Sequence, residues 1–144
     1  MNSPAADFLL VRAGGRRVGL RLEDIVEVAD LGEVFPLPSG APAIRGVTSA
    51  RGRLVPLLHL GAFLNATACP EARSATIVLA NLGGLQVCLE VDEADVVTRE
   101  RLLPVPEGEA LPWALAMAPR ADGLVPILNL NALRERLIEA GSAT

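Results

Sequence analysis

The apolar positions of this chain fall in short runs, broken by paired glycines and by prolines, and few stretches keep a helical period. Residues 8–12 and 18–22 are apolar-rich and flank Gly14-Gly15, which predicts a two-residue β-hairpin. Residues 77–81 and 85–91 flank Gly83-Gly84 in the same way. Residues 54–58 and 124–128 are apolar runs that each carry a central proline, Pro56 and Pro126. Proline has no N–H to give to a ladder, so each run is expected at a sheet edge or a bulge. Helical signals are weaker. One turn is expected over 22–27, where Glu23 and Asp24 suit the positive N-terminal end of a helix, and another over 61–64. Residues 131–140 make the best helix, with Leu133, Leu137 and Ala140 on one face and Gly141 as its stop. Pro-rich connectors are expected at 36–42 and 104–112.

The runs repeat. Phe8-Leu-Leu-Val-Arg-Ala-Gly-Gly-Arg-Arg-Val-Gly-Leu20 aligns with Ile77-Val-Leu-Ala-Asn-Leu-Gly-Gly-Leu-Gln-Val-Cys-Leu89, 69 positions later. Leu54-Val-Pro-Leu-Leu-His-Leu-Gly-Ala-Phe63 aligns with Leu124-Val-Pro-Ile-Leu-Asn-Leu-Asn-Ala-Leu133, 70 positions later. Two blocks in one order, at nearly one spacing, indicate a duplicated unit. The expected organisation is a single domain over 1–144. A first subdomain covers about 7–68, a second about 74–130, with a link at 65–74 and a C-terminal helix at about 131–140. Many short strands with closely spaced turns predict an all-β class, barrels or sandwiches rather than a parallel sheet.

Composition narrows the function. The chain has 144 residues, 51% of them hydrophobic, enough for a core that needs no disulfide or metal. No apolar run reaches the roughly 18 residues of a membrane helix. The first residues carry no signal-peptide pattern, so a cytoplasmic protein with reduced thiols at Cys69 and Cys88 is expected. A net charge of −4 and the absence of tyrosine argue against nucleic acid as a partner. Candidate chemistry is sparse. His59, the single histidine, sits inside an apolar run and reads as structural. The two cysteines have no histidine or cysteine neighbours at zinc-ligand spacing. Asp92-Glu93-Ala-Asp95 lacks the glycine and distal glutamate of a calcium loop. Neither Gly-Gly pair leads into a helix or a lysine, as a phosphate loop does. No catalytic, cofactor or metal site is expected, and the convergent polar set of a small-ligand pocket is not evident. The expectation is a binding protein, not an enzyme.

Two stretches carry a family resemblance. Residues 7–28 resemble the opening of CheW, the chemotaxis coupling protein family. Ala43-Ile-Arg-Gly-Val-Thr-Ser-Ala-Arg-Gly-Arg-Leu-Val-Pro-Leu-Leu-His-Leu60 is similar to that family's most characteristic stretch, Gly-Val-x-Asn-Leu-Arg-Gly-x-x-x-Pro-x-x-Asp-Leu. Val91-Asp92 and the run 123–130 fit its second half, so the likeness spans about residues 7–137. It implies an all-β fold of two intertwined SH3-like five-stranded barrels with a few short helices. It also implies an adaptor without cofactors, joining the cytoplasmic hairpin tip of a chemoreceptor to the regulatory domain of a CheA-type histidine kinase, with no insertion into the membrane.

Arg51 and Gly52 preserve the family's Arg-Gly pair, and Arg51 is expected to anchor a partner from a tight turn. Arg45 is expected on the same face, with Ile44 and Val47 adding apolar contact. Leu22, Ile25, Glu27, Cys88 and Val97 complete the partner-binding positions that the resemblance implies. Val18 stands where the family has tyrosine, and Cys88 where it has glycine. These departures fit, as an alternative, a divergent CheW-like module with weakened receptor binding in a type IV pilus or second-messenger complex. The family places aspartate at His59. Since aspartate caps helices better than histidine, His59→Asp is expected to stabilise the protein.

Overall fold

In a computed structural model that describes residues 5–37, 41–108 and 111–142, the hairpin signals become strands. Strands β1 (Ala5–Ala13) and β2 (Arg16–Arg21) turn at Gly14-Gly15, with φ of +60° and +78°. These values define a type I′ turn, which glycine adopts without steric cost. A single 3₁₀ turn, Leu22–Asp24, leads to β3 (Ile25–Asp30) and the two-residue β4 (Val34–Phe35). Strands β5 (Ile44–Ala50) and β6 (Arg53–His59) form a second hairpin, followed by α1 (Leu60–Asn65). Strands β7 (Thr76–Leu82) and β8 (Leu85–Val91) turn at Gly83-Gly84, and β9 is Glu93–Arg101. The chain closes with β10 (Ala114–Arg120), β11 (Gly123–Leu128) and α2 (Leu130–Ser142). Within the two proline-rich connectors, residues 38–40 and 109–110 lie outside the described residues.

Two expectations about helices need correction. The turn expected over 22–27 stops at Asp24, because Ile25 packs on one hydrophobic cluster and Val26 on another. Only an extended backbone sends neighbouring side chains to opposite faces. The last helix runs past Gly141 to Ser142. A helical glycine costs about 1 kcal/mol relative to alanine, a penalty too small to enforce a stop.

Sheet one has the strand order β10-β11-β2-β1-β9, and sheet two the order β3-β7-β8-β6-β5-β4. A bridge between Leu103 and Met117 brings the chain after β9 against β10, so sheet one curls towards closure. The repeat recurs in the ladders. Strand β5 bulges between Ile44 and Gly46 opposite Leu58 and Leu57, while β10 bulges between Ala114 and Ala116 opposite Leu128 and Ile127. The prolines also occupy matching places. Pro56 and Pro126 each pair on one side, and the parallel contact on the other side begins one residue later, at Leu57 with β8 and at Ile127 with β2. Each proline therefore lies just outside the parallel contact.

The sheets divide the chain differently from the repeat. All six strands of sheet two come from residues 25–91, whereas sheet one takes β1 and β2 from before that stretch and β9 to β11 from after it. Each sheet thus contains a hairpin from either repeat. Sheet one has five strands, and sheet two adds the short β4 to five.

Three apolar clusters follow. Phe8, Leu10, Ala118, Val125 and Ile127 fill sheet one, while Val34, Val55, Leu57, Ile77, Leu79 and Cys88 fill sheet two. The largest cluster lies between them and includes Leu9, Val11, Leu58, Val78, Leu89, Trp113, Leu128 and Leu133. Alternate residues of β1 and β7 serve different clusters, which explains their continuous apolar sequence.

Candidate functional site

A two-residue turn, Arg51-Gly52, joins β5 to β6. Arg51 has φ +52° and Gly52 +76°, a type I′ turn that puts an L side chain in the left-handed region. Arg51 and Ala66 are the two non-glycine residues with positive φ among those described. The Arg51 side chain is 55% exposed, and its Nε lies 3.4 Å from Oε1 of Glu27 on β3. An exposed pair at that distance contributes at most about 1 kcal/mol, so the guanidinium remains available.

The sheet surface beside this turn is apolar. Phe35, Val47 and Pro56 are direct cross-strand neighbours on β4, β5 and β6. Ser49 faces Leu54, which is 67% exposed. Val47 was expected here, whereas Phe35 and Leu54 were not. The missing signal was the register, since nothing in the local sequence aligns β4 with β5. Ile44 instead packs against the shared cluster.

The remaining expected contacts separate into two groups. Leu22 is exposed in the 3₁₀ turn, Ile25 is partly buried at the start of β3, and Val97 is 56% exposed on β9. Strands β3 and β9 are each the last strand of their sheet. Exposed Val28 and Val96 add apolar surface to the same two strands.

Two expected contacts turn out to be interior. Cys88 has no exposed surface, and burial pushes its thiol up to about 11, with Glu27 contributing in the same direction. It fills the position that Gly19 holds in sheet one. A Cβ on Gly19 would lie 2.5 Å from Ile127 Cδ1 and 2.9 Å from Phe8 Cδ2. In sheet two, the counterpart of Phe8 is the smaller Ile77, which leaves room for a side chain.

Arg45 is the second. Its side chain is only 11% exposed and grips the fully buried Glu90 with a fork, Nε to Oε1 at 2.7 Å and Nη2 to Oε2 at 3.1 Å. The same guanidinium donates to the carbonyls of Pro70 and Ala72, and Ser74 N–H donates to Glu90 at 2.8 Å. This cluster clamps the link after α1 onto β8. Removing one member of such a pair strands a buried charge, at a typical cost of roughly 3–5 kcal/mol.

His59 completes the cluster. Its Nδ1 accepts from Ala62 N–H at 2.9 Å and caps α1, and its Nε2 lies 3.9 Å from Glu90 Oε2. The Cys69 thiol donates to the Ala43 carbonyl at 3.2 Å. Desolvation raises its pKa, against the opposing pull of Arg45. The imidazole, the buried carboxylate and the thiols are thus all committed to structure. No helix among the described residues is long and apolar enough to cross a membrane.

Two interleaved barrels, committed polar chemistry and an exposed arginine beside apolar strands define a scaffold that works through its surfaces. Comparison with known proteins gives that class a family. Residues 7–137 match the CheW-like domain, and the chain belongs to this family of coupling scaffolds in chemotaxis-type signalling. Protein FrzA of Myxococcus xanthus is 32% identical over 136 residues, covering 93% of this chain and 81% of that protein. The chemotaxis protein CheW of Klebsiella aerogenes is 25% identical over 135 residues, covering 92% and 75%. In three dimensions, the scaffolding protein TtCheW from Thermoanaerobacter tengcongensis superimposes with a TM-score of 0.74 at 18% identity, covering 90% of this chain and 86% of that one. The fold is the pair of SH3-like β-barrels that the resemblance implies.

Proposed function

We propose that this chain is a non-enzymatic cytoplasmic adaptor that joins chemoreceptor signalling tips to a CheA-type histidine kinase. The observation that carries this reading is Arg51. A left-handed conformation costs a non-glycine residue about 1–2 kcal/mol, yet an arginine occupies the turn where glycine or asparagine would be cheaper. Such strain persists where the side chain is needed. Arg51, with Leu54 and the stripe of Phe35, Val47 and Pro56, offers the kinase's regulatory domain a cation bordered by apolar surface. A receptor's helical hairpin would lie along Leu22, Ile25 and Val97. The adaptor breaks no bond. By holding both partners in one geometry, it lets receptor state bias kinase activity.

Calorimetry with the regulatory domain of a CheA-type kinase from the same organism tests the reading. Arg51→Glu reverses the charge of a hot-spot side chain, so affinity should fall by roughly thirtyfold or more. The thermal midpoint should move little, since the Glu27 pair is exposed. Unchanged affinity in the folded variant would remove Arg51 from the interface.

A further inference from the structure

A cleft of about 620 Å³ opens where α1 and α2 approach the segment before β10. Sites for small organic molecules span roughly 300–1,000 Å³. Phe63 and Leu64 of α1, Pro112, Trp113 and Ala132 of α2 give it apolar walls, and its ionic groups are Arg16, Arg136 and Glu135. None of these residues belongs to the docking surfaces described above.

Both arginines are exposed, and neither has a carboxylate partner among the described residues. The Arg16 guanidinium lies over the Trp113 ring, 5.9 Å from its centroid, while its Nε donates to Asn65 Oδ1 at 2.8 Å. Asn65 is itself fixed, donating from Nδ2 to the Gly14 carbonyl at 2.9 Å. The Arg136 guanidinium lies over the Phe63 ring, also 5.9 Å from the centroid. Their remaining N–H groups have no partner among the described residues, and each guanidinium lies beside the aromatic ring that would form part of the ligand's wall.

We propose that this cleft binds a small organic monoanion, a carboxylate carried on an apolar body. The body packs against Phe63, Pro112 and Trp113, and the carboxylate takes N–H donors from Arg16 and Arg136. Two arginines and one glutamate leave a net charge of +1, which matches a single carboxylate, whereas a dianion would meet Glu135. Because α1 follows β6 of sheet two and Trp113 precedes β10 of sheet one, the ligand would bridge the two barrels.

Trp113 is the single tryptophan of a chain without tyrosine, so intrinsic fluorescence reports on this cleft. The probes are phenylacetate and hexanoate, each compared with its neutral amide. Either acid should change the Trp113 emission saturably, with its amide binding at least about tenfold more weakly, as expected when a charge-assisted hydrogen bond is lost. Arg16→Gln and Arg136→Gln should each weaken the acid by about fivefold or more at an unchanged thermal midpoint. Arg16→Gln also disturbs Asn65, so Arg136→Gln, whose side chain among the described residues meets only the Phe63 ring, is the decisive variant. The proposal falls if neither acid gives a saturable change up to about 10 mM, if acid and amide bind equally, or if Arg136→Gln binds as the unaltered protein does.

Discussion

His59 shows how one neighbour reverses a substitution's sign. Helix-capping preference alone favours aspartate at this position, but Glu90 lies 3.9 Å from the imidazole, fully buried. His59→Asp would set a second carboxylate against the first, whose one cationic partner other than His59 among the described residues is Arg45. Expelling like charges from water raises the pKa of the new group. A carboxyl whose pKa is higher in the folded than in the unfolded state costs stability at high pH, and the cost fades as pH falls through the folded pKa. His59→Asp should therefore lose roughly 1–3 kcal/mol at neutral pH and recover part of it under mild acid. His59→Asn keeps a good cap without the charge, as Asn129 does for α2 by accepting from Asn131 N–H at 3.0 Å. It should stay within about 0.5 kcal/mol of the unaltered protein. Urea denaturation at two pH values separates these outcomes. The sequence showed His59 to be structural but not its partner, because Glu90 is 31 positions away and meets it only through a parallel ladder.

Among the elements, hairpins were readable and sheet partners were not. Gly14-Gly15 and Gly83-Gly84 announce their turns locally, and both flanking runs are apolar because both faces are buried. That pattern says a hairpin is sandwiched without saying by what. Strand β9 leaves no strand signal in the sequence, because its residues are mostly polar or exposed and carry no alternation of inward apolar positions. Of the proposed contact positions, the exposed turn at Arg51 was legible from its Arg-Gly pair. Arg45 looked equivalent, since a clamp on the carbonyls of residues 70 and 72 leaves no mark in the sequence around it. The first turn also allows a sharp comparison. A Cβ on Gly14 would lie 2.8 Å from Gly61 Cα, whereas one on Gly15 meets nothing within 4 Å. Both substitutions carry the left-handed penalty, but only Gly14→Ala must also push back α1. Gly15→Ala should cost about 1 kcal/mol and Gly14→Ala at least about 2 kcal/mol, as separated thermal midpoints would show.

For the whole molecule, the sheets predict which fragments retain structure. Residues 25–91 contain every strand of sheet two, together with the cluster that fills it. Residues 7–68, one repeat unit, contain no complete sheet. The fragment 25–91 should therefore give a β-type circular dichroism spectrum, while 7–68 should resemble an unfolded chain. The larger apolar cluster would be uncovered in 25–91, including Leu58, Val78 and Leu89, so this fragment should self-associate and bind a hydrophobic dye. A monomeric, dye-silent fragment 25–91 would show that the shared cluster matters less than its size suggests.

The joint at Asp92 has a mechanical meaning. Strand β8 ends at Val91 in one sheet and β9 begins at Glu93 in the other, so one residue spans the crossing. A residue reaches at most about 3.6 Å, and Asp92 is already tied down, its N–H donating to the Arg12 carbonyl and its carboxylate accepting from Gly14 N–H. There is no slack in this tether, and the second crossing, Leu22–Asp24, is a closed 3₁₀ turn. A pull between the two sheets at this joint would therefore load the backbone directly, and a partner that displaced one sheet here would carry the neighbouring strand of the other with it.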